Sequence, residues 1–168
     1  MRDLIVSTTP ADPRARPLVA ALLEEYDSRY GTFFDVAGAA AEMNRYPPEA
    51  FAPPQGQFLL LLRDGETIGG GAFKRYDDST AEFKRIWTRQ DLRRQGLASR
   101  VLAALEQAAR EQGYGRIYLT TGFRQPEAVG LYLRRGYTAL YDPAADLQAL
   151  RTLPFEKRLT VTAEAALA

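Results

Sequence analysis

The apolar positions of this chain change their spacing along its length, and the changes outline its elements. Leu18, Leu22, Leu23 and Tyr26 recur at helical intervals, which predicts a helix over Pro17–Tyr30 with proline in its first turn and Gly31 after its end. Leu4–Ser7 before it reads as a first strand. Ala37–Asn44 is expected to form a second short helix, and Pro47, Pro48, Pro53 and Pro54 make the next stretch a loop. From Gln57 the pattern is that of strands. Gln57–Arg63 is a buried run, Asp64-Gly65 is a hairpin signal, and Thr67–Lys74 returns as its partner. Gly69-Gly70-Gly71 inside that partner points to a bulge or a close backbone approach. After the turn Asp77-Asp78-Ser79, Ala81–Thr88 forms the third strand of the meander.

From Leu97 the period becomes helical again. Leu97, Val101, Leu102, Leu105 and Ala109 share one face through Gln112, and Gly113 caps the end. Arg116–Thr121 is then a strand, Pro126–Arg135 a helix closed by Gly136, Tyr137–Tyr141 a strand and Phe155–Leu159 a last one. A helical segment, three antiparallel strands, a βαβα run and a closing hairpin predict an α/β fold. Its sheet is single, mixed and mostly antiparallel, with helices on both faces. No repeat or linker interrupts it, so residues 1–160 read as one domain and Val161–Ala168 as a tail.

The strand Ala81–Thr88 breaks its own alternation. Phe83, Arg85 and Trp87 fall on one side of a regular strand and Glu82, Lys84 and Ile86 on the other, so charge and apolarity mix on both. A bulge near Arg85 would reset the register and push the strand off its neighbour.

Composition narrows the chemistry. The chain has 168 residues, a net charge of +1, no Cys and no His. Disulfides, thiolate nucleophiles, imidazole triads and Cys or His metal sites are excluded, so no metal is expected. Proton transfer must fall to Glu, Asp, Tyr, Lys or water. Near neutrality argues against capture of nucleic acid or an anionic membrane. The longest aliphatic run, Leu59–Leu62, is too short for a bilayer. The N-terminus does not read as a secretory leader, so a cytoplasmic location is expected.

One junction carries specific chemistry. Arg93-Arg94-Gln95-Gly96-Leu97-Ala98 links the strand ending at Thr88 to the long helix. A helix start offers unpaired N–H groups and partial positive charge, a Gly there admits an anion to the backbone, and arginines add charge. The residues fit a phosphate site; they equally fit an ordinary strand–loop–helix corner.

The chain resembles the GNAT superfamily of acetyl-CoA-dependent N-acetyltransferases. The family loop is Arg or Gln, two residues, Gly, one residue, then Gly or Ala, which Arg93–Ala98 matches. Ala81–Thr88 is similar to the family's fourth strand. Thr120–Tyr132 with Gly136-Tyr137 is similar to its fifth strand and following helix, and Leu153–Leu159 to its closing strand. Gln90 stands where many members have Pro, and Gln125 where many have Asn. The resemblance implies a bulged fourth strand splayed from the fifth.

It also implies site roles. Arg93, Arg94, Gln95, Gly96, Leu97, Ala98 and Ser99 would hold the coenzyme A diphosphate, and Ile86, Trp87 and Thr88 the pantetheine arm by backbone bonds. Gln125 would bond pantetheine or cap its helix. Tyr132 matches the family's general acid, and Glu82 is the candidate base, direct or through water. An N–H near Trp87 would polarise the thioester carbonyl. A primary amine, small or amino-acid-like, would attack directly in a ternary complex. Its pocket is expected from Arg29, Tyr30, Phe33, Phe34 and Tyr46 and the loops near Tyr141. Acetylation of a protein lysine or N-terminus, an acyl-CoA sensor without turnover, and a structural module are the alternatives. Family members are often dimers, which implies a possible homodimer.

Overall fold

The structure, a computed structural model, describes residues 2–31, 33, 38 and 45–159. Apart from Gly38, the expected helix Ala37–Asn44 lies outside the described residues, as do Phe34 and the tail Val161–Ala168. Strands β1 (Asp3–Ser7), β2 (Gln57–Arg63), β3 (Glu66–Asp77), β4 (Thr80–Thr88), β5 (Arg116–Gly122), β6 (Thr138–Ala139) and β7 (Thr152–Arg158) form one sheet. Their order is β1-β2-β3-β4-β5-β7-β6, antiparallel throughout except for the parallel pair β4–β5. The β2–β3 turn is a two-residue hairpin. Asp64 (φ 51°) and Gly65 (φ 83°) are both left-handed there, as the twist of the flanking strands requires.

Helices cover both faces. α1 (Arg16–Tyr30) lies on one, and α2 (Leu97–Glu111) and α3 (Pro126–Arg134) on the other. Alternation along the strands sorts the core accordingly. Leu59, Leu61, Phe73, Phe83 and Ile117 pack beneath α2, whereas Phe58, Leu60, Leu62, Ala72 and Trp87 pack with Leu18 of α1. The three consecutive glycines of β3 allow both helices to approach. A Cβ on Gly70 would stand 2.7 Å from the Leu18 side chain of α1, and one on Gly71 would stand 2.9 Å from Leu105 of α2.

α2 also buries a carboxylate that periodicity reads as a solvent-side residue. Glu106 is 2 % exposed. It accepts from Tyr137 Oη at 2.9 Å, Arg135 at 3.1 Å and Lys157 Nζ at 3.2 Å. Burial, the Glu106 charge and its hydrogen bond together push the Tyr137 phenol far above its ordinary range.

Several boundaries differ from expectation, and β3 runs on to Asp77, the first residue of the expected turn. β7 begins at Thr152 rather than Phe155, so it contains Pro154. The Pro154 carbonyl accepts from Leu140 N–H at 2.9 Å. Its ring nitrogen therefore faces the short β6 side and removes no bond to β5. β6 itself keeps only Thr138–Ala139 of the expected Tyr137–Tyr141, and α4 (Leu147–Leu150), capped by Asp146, precedes β7.

Candidate active site

β4 decides the site. Its register against β3 runs Ala72↔Lys84 and then Gly70↔Trp87, so three residues of β4 oppose two of β3. The extra residue falls at Arg85, whose φ of 60° is left-handed. That is the bulge its parity required, and it puts Phe83 and Ile86 on one face and Lys84 and Trp87 on the other. On the far side, β4 pairs with β5 only over Thr80↔Arg116, Ala81↔Ile117 and Glu82↔Tyr118. From Phe83 onward the two strands separate, leaving one backbone edge of Ile86-Trp87-Thr88 without a strand partner.

A cavity of about 290 Å³ fills the split. Its walls are Phe83, Lys84, Arg85 and Ile86 of β4, and Thr120, Thr121 and Gly122 of β5. Leu22, Glu25, Tyr26 and Tyr30 of α1 close it from one face of the sheet, and Tyr132 of α3 from the other. The cavity thus takes walls from both faces of the sheet. Arg45, Gln125 and Thr152 complete it.

Tyr132 is 6 % exposed and packs on Tyr137 and Phe155, with ring centroids at 5.7 and 5.6 Å. Its hydroxyl hydrogen-bonds no other described residue. Burial pushes this phenol well above its ordinary range, so it stays protonated through neutral pH. Gln125 stands at the N-cap of α3 without capping it. Instead its Oε1 accepts from Gly122 N–H at 3.0 Å and from the Thr121 and Tyr30 hydroxyls at 3.1 Å. This ties β5 to α1 across the cavity.

The Arg93–Ala98 loop lies beyond the end of β4 and does not line the cavity. Gly96 (φ 76°) is the N-cap of α2, and a Cβ there would meet nothing within 4 Å. Backbone conformation, not crowding, selects glycine at this point. Among the described residues none accepts from the N–H groups of Arg94 through Ser99, while Leu97 is buried in the core and anchors the turn. Arg94 is exposed and makes no ion pair among the described residues. Arg93 is 3.7 Å from Glu25, and Gln95 accepts from Arg63 at 3.5 Å. A row of unpaired N–H groups at a helix start, with an unpaired arginine beside it, fits a diphosphate.

Comparison with known proteins agrees. Residues 19–137 match the model of the Acetyltransferase (GNAT) family. The chain belongs to the GNAT family of acetyltransferases. It is 29 % identical over 126 residues to the uncharacterized N-acetyltransferase YjgM of Escherichia coli strain K12, covering 72 % of this chain and 75 % of that one. A Klebsiella pneumoniae protein assigned as an acyl-CoA N-acyltransferase superposes with a TM-score of 0.71 at 28 % identity, over 94 % of this chain and 98 % of its own. The PaiA N-acetyltransferase of Thermoplasma acidophilum, solved in complex with coenzyme A, has a TM-score of 0.72 over 94 % of this chain and 99 % of its own. At 14 % identity that likeness concerns the fold alone.

The GNAT cavity brings together Ile86, Gln125 and Tyr132 but not Glu82. Glu82 lies on β4 one residue before the split, 8 % exposed, 3.2 Å from Lys74 and 3.8 Å from Lys84. Both ammonium groups sit over the Tyr46 ring, at 4.8 and 4.9 Å. Of the described residues expected around the acceptor, only Tyr30 lines the cavity. Arg29 instead clasps Glu25 and Glu127, Phe33 packs on Phe123, Tyr46 lies under the lysines, and Tyr141 packs on Phe155. Glu25, Tyr26, Lys84 and Arg85 were the unforeseen members. The doubtful parity at Arg85 was the one available signal for the last two.

Proposed function

We propose that this GNAT protein transfers the acetyl group of acetyl-CoA to the primary amine of a small molecule by direct attack in a ternary complex. The observation carrying this reading is the split of β4 from β5, lined from both faces of the sheet. One face offers Tyr132 and the other α1, so donor and acceptor can meet without displacing each other. The unpaired N–H groups at the start of α2 suit the donor diphosphate, and coenzyme A is bound by the Thermoplasma neighbour. The free edge at Ile86-Trp87-Thr88 suits the amides of pantetheine as an added strand. A cavity near the lower limit for small ligands favours a small acceptor over a protein segment.

In this reading Glu82, working through a water, takes a proton from the ammonium form of the acceptor and passes it to solvent. The nitrogen lone pair forms the C–N bond as the C–S bond breaks, and an N–H near Trp87 holds the developing oxyanion. Tyr132 gives its proton to the departing sulfur and regains one from the acylated nitrogen. The products are an N-acetyl amine and a thiol.

Glu25 is the carboxylate in the cavity wall, so the choice of base is testable. Thiol release from acetyl-CoA should depend on added amine. Glu82→Gln should lower kcat about 100-fold, whereas Glu25→Gln should not. A larger loss at Glu25 would move the base to α1. An acetyl-enzyme isolated after acetyl-CoA alone would remove direct attack.

A further inference from the structure

Glu25 stands in the cavity wall and the reaction gives it no task. It belongs to a group of four charges that joins three elements. Arg29, one turn further along α1, is 3.1 Å from Glu25 and also clasps Glu127 in the first turn of α3. Arg93, in the loop before α2, is 3.7 Å from Glu25. Against burial, which raises it, Arg29 and then Arg93 hold the Glu127 carboxyl below its ordinary value, so Arg93 acts on both carboxylates. Two anions and two cations balance within the group.

The two guanidinium groups are not held alike. Arg29 donates to Glu127 and, at 2.8 Å, to the Arg124 carbonyl. The Arg93 side chain is 32 % exposed, and its one ion pair among the described residues is the long one to Glu25. Arg93 is therefore the cation that can leave. It also adjoins Arg94–Ser99, the row of N–H groups that suits the donor's diphosphate. A diphosphate carries more charge than one carboxylate and takes both arms of a guanidinium. With Arg93 drawn to it, Glu25 and Glu127 share Arg29 alone. The group then carries one net negative charge, and Glu25 is its member in the cavity wall.

We propose that Arg93 is shared between the two halves of the site. It neutralises Glu25 while the donor is absent and is taken over by the donor's diphosphate, so that bound coenzyme A turns Glu25 into the cavity's contact for the acceptor's ammonium group. This rests on the reading of the α2 start as the donor's phosphate site and of the cavity as the acceptor's. The coupling is reciprocal, so removing the Glu25 charge releases Arg93 to the donor.

The test is calorimetry of coenzyme A binding to the wild type, Glu25→Gln, Arg93→Gln and the double variant. Glu25→Gln should bind coenzyme A about 3-fold more tightly, the scale of a part-exposed ion pair, and the gain should vanish in the Arg93→Gln background. Glu24→Gln is the control, since Glu24 is exposed, stands beside Glu25 in α1 and carries the same charge without the contact to Arg93. It should change the affinity far less. Unchanged or weaker binding in Glu25→Gln, a gain that survives Arg93→Gln, or an equal gain in Glu24→Gln overturns the inference and leaves the acetyltransferase reading intact. In thiol-release assays over a panel of primary amines, Glu25→Gln should raise KM for the best acceptor about 10-fold, more than it changes kcat, as loss of a hydrogen bond to a charged group would. An unchanged KM overturns the part given to Glu25. Absence of thiol release from every amine would instead defeat the acetyltransferase reading, and the coenzyme A cycle alone then decides the inference.

Discussion

Two polar clusters lie on either side of Tyr132, and they differ in how completely they satisfy themselves. Behind it, Glu106 accepts from Tyr137, Arg135 and Lys157, and Lys157 also donates to the Arg135 carbonyl at 2.8 Å. In front of it, Glu25, paired with Arg29 and Arg93, and Lys84, beside Glu82, line a cavity, and the Tyr132 hydroxyl hydrogen-bonds no other described residue. Buried polar groups that close on one another contribute order and stability. The Tyr132 hydroxyl, which faces a space with no partner among the described residues, has one still to come. The contrast separates scaffold from site without reference to any relative.

The contrast can be broken at several points. The largest effect is expected at Glu106→Ala, which strands three donors in the core. Stability should fall by about 3 kcal/mol, the low end for a broken buried pair because Arg135 and Lys157 keep some access to water. Urea denaturation measures it, and donor affinity of the folded fraction should be unchanged. A neutral outcome would mean that the rear cluster is not structural.

Next comes Tyr132→Phe, which keeps the packing on Tyr137 and Phe155 but removes the proton. Turnover should fall about 100-fold with little change in acetyl-CoA binding. Unchanged turnover would take Tyr132 out of the acid role and make the front cluster a binding site only.

The smallest effect is a pH dependence. Burial raises the folded phenols of Tyr132 and Tyr137 above their ordinary value of 10.0. Above that pH the unfolded chain releases phenol protons that the folded chain retains, so the folded state binds more protons and stability falls as pH rises. The contribution is complete below pH 10 and is lost above it. Denaturation midpoints between pH 8 and 11 should decline in the wild type, and less steeply in Tyr132→Phe and Tyr137→Phe. Parallel slopes in all three would place the alkaline loss elsewhere.

Much of the scaffold was legible in advance because its signals are local. Hydrophobic spacing marked α1, α2, α3 and five of the strands, Asp64-Gly65 marked its hairpin, and the inconsistent parity of Ala81–Thr88 marked the bulge. The errors have local causes as well. Pro154 hid the start of β7, since a proline is harmless in a strand only when its nitrogen faces an unpaired side, and that depends on the neighbour.

Glu106 was illegible in the same way. It lies on the polar flank of its helix, and only the arrival of Lys157, Arg135 and Tyr137 from other elements makes burial affordable. The proposed donor end of the site belongs with the legible part. Gly96, the arginines beside it and the start of α2 are contiguous in sequence and are built by backbone conformation alone. Tyr132 and Gln125 were identified by resemblance, but their partners were not.

What the sequence determined by itself was therefore the order of elements, the break in β4 and the glycine turn into α2, each set by residues within a few positions of one another. What only the tertiary structure decided was the lining of the cavity. Glu25 and Tyr26 of α1, Arg85 at the bulge and Tyr132 of α3 are far apart in the chain. They share a cavity because β4 leaves β5 after Glu82 while helices pack on both faces of the sheet. No local pattern records which side chains will face one another across such a gap, because the meeting is set by the packing of whole elements.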